Sequence, residues 1–261
     1  VQLTIFFSVP RPVALPVQYG PLLQGLVYRQ MENPVLRSYL HEQGFALGKR
    51  RFKLFTFSRL TGRAVSYDRV SGRLVLTPPL RLVVCSPIPF ILQELGTGFL
   101  RQGRVRLGDV FLEVKEMATA APRATGQAIR VRMLSPLVTY STLSGTDGRS
   151  YTYYYSPFEP RFEELVGANL AKKHLLIHGR PAPGDGFGIR PVRVEDRDLK
   201  ITRYKETVIK GWMGEYELRG DPGFLQVALD AGLGAKNSQG YGCCELVRAG
   251  GGEGEKKGAE E

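Results

Sequence analysis

Three histidines are present, His41, His174 and His178, and each could hold a metal or move a proton. His174 and His178 are four apart, so a helix would put both on one face, as zinc pairs require. Leu-Leu-Ile separates them, GRPAPGDGFG follows at once, and no third ligand is apparent, so the pattern disfavours a metal. The cysteines Cys85, Cys243 and Cys244 include an adjacent pair and no CxxC spacing, which argues against a zinc site and a disulfide framework and fits a reducing cytosol. His41 stands in YLHEQGF, just before the basic run GKRRFK. Positive charge from Lys49, Arg50, Arg51 and Lys53 would favour the neutral imidazole, the form that accepts a proton. On local sequence alone His41 is equally a surface histidine in a helix-exit loop. Tyr28 lies on an amphipathic stretch with Gln24 one turn earlier on the same face. A half-buried aromatic against a sheet is the plainer reading of that tyrosine.

The stretch GLGAKNSQGYG, residues 232–242, places Lys236, Asn237, Ser238 and Gln239 between two glycine pairs, Gly232/Gly234 and Gly240/Gly242. A P-loop needs a lysine directly after its second glycine, and here Gln239 precedes Gly240. A dinucleotide fingerprint runs from strand to helix, whereas this loop follows a helix-like run and precedes a strand-like one. Two readings stay open. One is a loop of free backbone N–H groups suited to a phosphate backbone. The other is a tight helix-to-strand turn with a glycine cap.

The 261 residues carry 36 Lys and Arg against 25 Asp and Glu, a net charge of +11. That balance points to a polyanionic partner. No apolar run approaches membrane-spanning length, and the cations do not gather on one amphipathic helix, so a membrane partner is disfavoured. Hydrophobic content of 43% is that of a globular chain. Arg101, Arg104, Arg106 and the pair Lys172, Lys173 add basic patches. Tyr151, Tyr153, Tyr154 and Tyr155 could stack bases, although strand alternation divides them between two faces.

The elements that must position these groups follow from periodicity. VQLTIFFSV, RFKLFTFSRL, RLVLTPPLRLVV and RVRLGDVFLEVKEM read as strands. GPLLQGLVYRQME and PIPFILQELGTGFLRQG read as helices. The second half repeats the order. GQAIRVRMLSPLVTY is a strand, a helix begins near Ser156 or Pro157, and strands cover the stretch to ELRG. DPGFLQVALDAG is a helix and YGCCELV a last strand. The pattern is βαββαβ twice, an α+β fold of tandem ferredoxin-like, RRM-like domains packed side by side. The expected boundaries are 1–122 and 126–248, with a disordered tail over 249–261.

These motifs resemble the CRISPR-associated repeat-processing endoribonucleases (Cas family six), of the repeat-associated RNA-binding protein superfamily. GLGAKNSQGYG is similar to the family's glycine-rich loop, LPVQYGPLLQGLVYRQM to its first helix, LHEQGF with FKLFTFSRL to its histidine loop and next strand, and FEELVGANLAKKH to its later helix. The resemblance runs from about residue 1 to residue 247. It implies a cytoplasmic enzyme, monomer or homodimer, that cuts CRISPR repeat RNA with no metal and no cofactor and can serve a CRISPR effector complex. It implies His41 as general base, Tyr28 as a second catalytic group and Lys49 as the completing lysine, with Lys53 or Arg50 as substitutes. It implies RNA contacts from Arg50, Arg51, Lys53, Lys172, Lys173, Gly232, Gly234, Lys236, Asn237, Ser238, Gln239, Gly240 and Gly242. Some relatives lack the histidine and only bind RNA; the alternative is therefore a non-cleaving repeat-binding subunit.

Overall fold

The computed structural model describes residues 1–144, 148–182, 186–204 and 206–247. The tail expected at 249–261 lies outside the described residues. Two antiparallel sheets organise the chain. The first contains β1 (Gln2–Ser8), β2 (Thr56–Phe57), β3 (Leu80–Cys85), β4 (Arg104–Leu107) and β5 (Val110–Ala120), in the order β2-β3-β1-β5-β4. The second contains β6 (Ala128–Met133), β7 (Gly188–Arg193), β8 (Glu215–Arg219) and β9 (Cys244–Leu246), in the order β7-β8-β6-β9. Apart from the β4 edge, each order places the second, third, first and fourth strands of a βαββαβ unit side by side. That is the ferredoxin-like arrangement, found here in tandem.

Each sheet buries one face under two helices. On the first lie α1 (Gly20–Arg29) and α2 (Pro89–Gln102); on the second lie α3 (Pro160–His178) and α4 (Pro222–Ala231). Helix α1 turns Leu23, Leu26, Val27 and Tyr28 inward, at the i, i+3, i+4 spacing of an apolar stripe. These side chains join Ile5 and Phe7 of β1 in the first core. Fully burying one such side chain contributes about 1.5–3 kcal/mol. The second core joins Val131, Phe162, Val166, Tyr216, Leu225 and Ala228. Asp221 caps α4 by accepting from the N–H groups of Gly223 and Phe224.

Several strands are shorter than their apolar runs suggest. RFKLFTFSRL divides because Leu54 adopts a left-handed φ of +53°, leaving Arg50–Phe52 in a small hairpin and Thr56–Phe57 in the main sheet. RLVLTPPLRLVV divides at Pro78-Pro79, which have no N–H for a ladder. Arg73–Thr77 pairs with Val13–Pro16 and Ala64–Asp68, whereas Leu80–Cys85 pairs with β1. The sequence GQAIRVRMLSPLVTY is strand only over Ala128–Met133; Tyr140 then opens a separate hairpin with Ser150–Tyr154. Helix α3 starts later than Ser156 or Pro157. Pro160 takes a first-turn position and Glu159 precedes it, its carboxylate accepting from Ser156 N–H.

The two halves meet through a small buried cluster of Val83, Cys85, Leu134 and Cys243. Cys85 and Cys243 lie 4.0 Å apart, sulfur to sulfur, as free thiols. Backbone and side-chain bonds stitch the same seam: Arg59 N–H donates to Leu134 O at 3.0 Å, and Thr56 Oγ1 donates to Tyr241 O at 2.9 Å. No helix of the described residues is long and apolar enough to cross a membrane.

Candidate active site

Behind α1, Asn33 caps a short helix, Pro34–Ser38, by accepting from Val35 and Leu36 N–H. The chain then widens into one π-type turn, Tyr39–Gln43, which carries His41. The turn closes when Gly44 N–H donates to Tyr39 O at 2.7 Å. Such turns interrupt regular helices and re-aim side chains. Here the exposed His41 ring and the buried Tyr28 ring pack edge to face, with centroids 5.5 Å apart and planes at 85°. Tyr28 also packs against Phe55 at 5.6 Å. Its hydroxyl reaches Leu40 O at 3.5 Å, and the Ser238 side chain of the glycine-rich loop lies near enough to lower its pKa. Burial pushes the Tyr28 phenol up to about 12, partly offset by Ser238, so it is protonated at neutral pH.

Lys53 completes this cluster. Its Nζ donates to His41 O at 3.1 Å. Burial lowers its pKa and the nearby Arg51 adds to that, while Glu42 opposes both. Lys49 sits exposed in the turn between Phe45–Leu47 and Arg50–Phe52. The lysine that touches His41 is therefore Lys53, not Lys49.

Lys53, Phe55 and Ser238 also line a cleft of about 820 Å³ between the two halves. Arg50 and Arg51 stand on one wall, Lys236 on another, and Arg161 of α3 on a third. No Asp or Glu occurs among the described residues that line it. Lys236 lies over the Tyr140 ring, 5.3 Å from its centroid. Asn169 Oδ1 and Gln239 Oε1 are buried at this cleft with no hydrogen-bond partner among the described residues. A cation-lined groove with an aromatic wall and spare acceptors matches the needs of a single nucleic-acid strand.

Two family models match in tandem: CRISPR-associated protein Cas6, N-terminal, over residues 14–118, and CRISPR associated protein Cas6, C-terminal, over residues 118–246. This chain belongs to the Cas6 family. A relative from Methanocaldococcus jannaschii, named CRISPR-associated endoribonuclease Cas6 1, is 26% identical over 234 residues, spanning 87% of this chain and 85% of the relative. One from Pyrococcus furiosus, named CRISPR-associated endoribonuclease Cas6, is 23% identical over 239 residues, spanning 90% and 85%. The solved structure of a Cas6-related protein from Pyrococcus furiosus superposes with a TM-score of 0.82 at 15% identity, covering 95% of this chain and 99% of that one. That last likeness shows the Cas6 fold alone.

Within this Cas6 chain the glycine-rich loop is built differently from the expectation of open backbone N–H groups. Many of its amides are already used inside the protein. Gly232 N–H donates to Ala228 O, Leu233 to Gly242 O, Ala235 to Val138 O and Gly242 to Pro136 O. The glycines face the chain itself. At φ +75° a Cβ on Gly242 would collide with Leu233 O, and at φ +61° one on Gly234 would collide with Val138 O. A Cβ on Gly240 would lie 2.6 Å from the Phe57 ring, and one on Gly232 2.9 Å from Gly242 O. From the loop, Gly234, Ala235, Lys236, Asn237, Ser238 and Gln239 line the cleft.

Lys173 departs furthest from its expected role. It is 2% exposed, and its Nζ donates to Gly232 O at 2.7 Å, Gly234 O at 3.2 Å and Asn237 Oδ1 at 2.7 Å. Burial depresses its pKa to about 7. Lys173 holds the loop from within and does not present an ammonium to RNA. Lys172, one residue earlier, is half-buried beside Arg50, and burial and that charge lower its pKa. Like charges brought together across the halves favour an anion between them. His174 and His178 do come together, ring centroids 4.4 Å apart and planes tilted by 42°, with His174 Nδ1 against Arg180 O at 3.2 Å. Sequence reasoning missed Arg161, Asn169 and Tyr140. Only the first carries an audible signal, a cation on the exposed face of α3.

Proposed function

We propose that this chain cuts CRISPR precursor RNA within its repeats, without a metal ion, by attack of the RNA's own 2′-OH. The observation that carries this reading is the meeting of His41, Tyr28 and Lys53 beside the cation-lined cleft. In the proposed reaction His41 takes the 2′-OH proton, and the 2′-oxygen bonds to phosphorus. The P–O5′ bond breaks, giving a 2′,3′-cyclic phosphate and a 5′-alkoxide. Tyr28 is a phenol at neutral pH, and the alkoxide is more basic than a phenolate, so proton donation from Tyr28 is downhill once that bond opens. Lys53 supplies positive charge where the phosphorane gathers negative charge. Arg50, Arg51, Lys172 and Lys236 hold the strand, and Asn237, Ser238 and Gln239 approach it from the loop.

The test uses labelled repeat RNA in excess chelator, beside a substrate with one 2′-deoxy at the cut site. The expected result is undiminished cleavage of the first and none of the second. Loss of cutting in chelator, restored by magnesium or zinc, would overturn the metal-free mechanism. Tight binding with no cleavage of either would make the chain a non-cleaving repeat-RNA-binding subunit.

A further inference from the structure

The hairpin of Leu199–Tyr204 and Thr207–Trp212 belongs to the second half, yet its tip rests on the first. Arg203 N–H donates to Gln18 Oε1 at 2.9 Å, and the Tyr204 hydroxyl donates to Gln24 Oε1 at 2.7 Å. Gln24 Nε2 in turn donates to Ser238 O at 3.0 Å. A backbone carbonyl can only accept, so it must face the amide nitrogen, which turns Oε1 toward Tyr204. Ser238 and Tyr204 both lie near enough to Tyr28 to act on its phenol, Ser238 lowering its pKa and Tyr204 raising it. Gln24 is one turn before Tyr28 on α1, so the same helix carries both ends of this chain of bonds.

We propose that Tyr204 and Gln24 are positioning residues for RNA cleavage: they tie the glycine-rich loop to α1 and so fix Ser238 against the helix that carries Tyr28. The proposal rests on the reading of Tyr28 as a group of the active site. The hairpin has other anchors. Thr202 Oγ1 and the Tyr241 hydroxyl lie 2.7 Å apart, Arg203 holds Gln18, and the strands pair from Leu199↔Trp212 to Tyr204↔Thr207. Removing one phenolic oxygen therefore leaves the packing in place and slackens only the line to Ser238. Tyr28 would then sample orientations that do not reach the departing oxygen, a loss in the chemical step and not in binding.

The test compares Tyr204→Phe, Gln24→Met, their double variant and Tyr28→Phe with the parent. Single-turnover cleavage, repeat-RNA affinity and thermal midpoint are measured on the same preparations. Each positioning variant should cut about three- to tenfold more slowly, the worth of one hydrogen bond. Affinity should stay at the parental value, and the midpoint should fall by no more than a few degrees, the cost of one lost hydrogen bond. The double variant should be no slower than the worse single one, because both break the same line. Parental cutting by Tyr204→Phe would overturn the proposal. So would a rate loss matched by an equal loss of affinity or by a midpoint low enough to leave the variant partly unfolded at the assay temperature, and so would additive losses. Tyr28→Phe cutting at the parental rate would remove the reading of Tyr28, and the proposal with it.

Discussion

The ammonium of Lys53 donates to the backbone carbonyl of His41 at 3.1 Å, across a separation of 12 residues. This contact ties the Lys53 side chain to the backbone of the histidine turn, whereas Lys49, the first choice on sequence with Lys53 or Arg50 as substitutes, is exposed in the hairpin turn.

Replacing Lys53 by Ala should slow cleavage about 100-fold, the scale seen when one preorganised electrostatic donor is lost. Lys49→Ala should cut within a few-fold of the parent, because Lys49 is exposed in the hairpin turn. Single-turnover rates on repeat RNA decide between them. The reverse ranking would return the catalytic role to Lys49.

His41→Ala should bind repeat RNA nearly as well as the parent, since the cleft cations are untouched. Its cutting rate should drop by about two to four powers of ten. A paired measurement of affinity and rate checks this. Cutting at the parental rate would mean that another group takes the 2′-OH proton.

Lys173→Met should lower stability by roughly 2–4 kcal/mol, because it strands buried carbonyl groups and Asn237 without a donor. Lys172→Ala should change stability by no more than about 0.5 kcal/mol. Urea unfolding of the two variants gives the comparison. Equal effects would contradict the internal role of Lys173.

Gly242→Ala should also unfold more easily, by at least about 1–3 kcal/mol from backbone strain alone. The collision with Leu233 O adds to this. The loop surface that lines the cleft is thus held by glycines that face inward. An Ala variant with an unchanged melting midpoint would refute that account.

Acid should weaken the second sheet through Glu215. This buried carboxylate is bonded by Arg132 and Arg130, with Arg132 directly opposite it in the β6–β8 register. Its pKa is lowered, first by the Arg132 hydrogen bond and against the effect of burial. A carboxylate with a depressed folded pKa contributes stability that is complete above its unfolded pKa and is lost as pH falls toward the folded value. Stability should therefore decline from about pH 4.5 downward, and Glu215→Gln should show a shallower acid limb. Denaturant midpoints measured from pH 6 to 3 test the slope; parallel curves would sink the assignment.

The sequence by itself determined the two βαββαβ successions, the inward stripe of α1 and the prominence of GLGAKNSQGYG. Those features are local. Periodicity, proline and glycine chemistry act over a few residues, and no distant partner is needed to read them. The inward direction of Tyr28 and its place one turn after Gln24 follow from the same helical spacing. The tertiary structure decided where each lysine sits. Lys172 and Lys173 are neighbours in sequence, but one helical step turns them about 100° apart. That step puts one beside Arg50 and the other under the carbonyls of Gly232 and Gly234. The same holds for the loop. Its glycines look alike in sequence, and only the approach of Val138, Phe57 and Leu233 shows that they serve close packing. Tyr204 reaches Gln24 from 180 residues away, a contact that exists only because the second half folds its hairpin over the first.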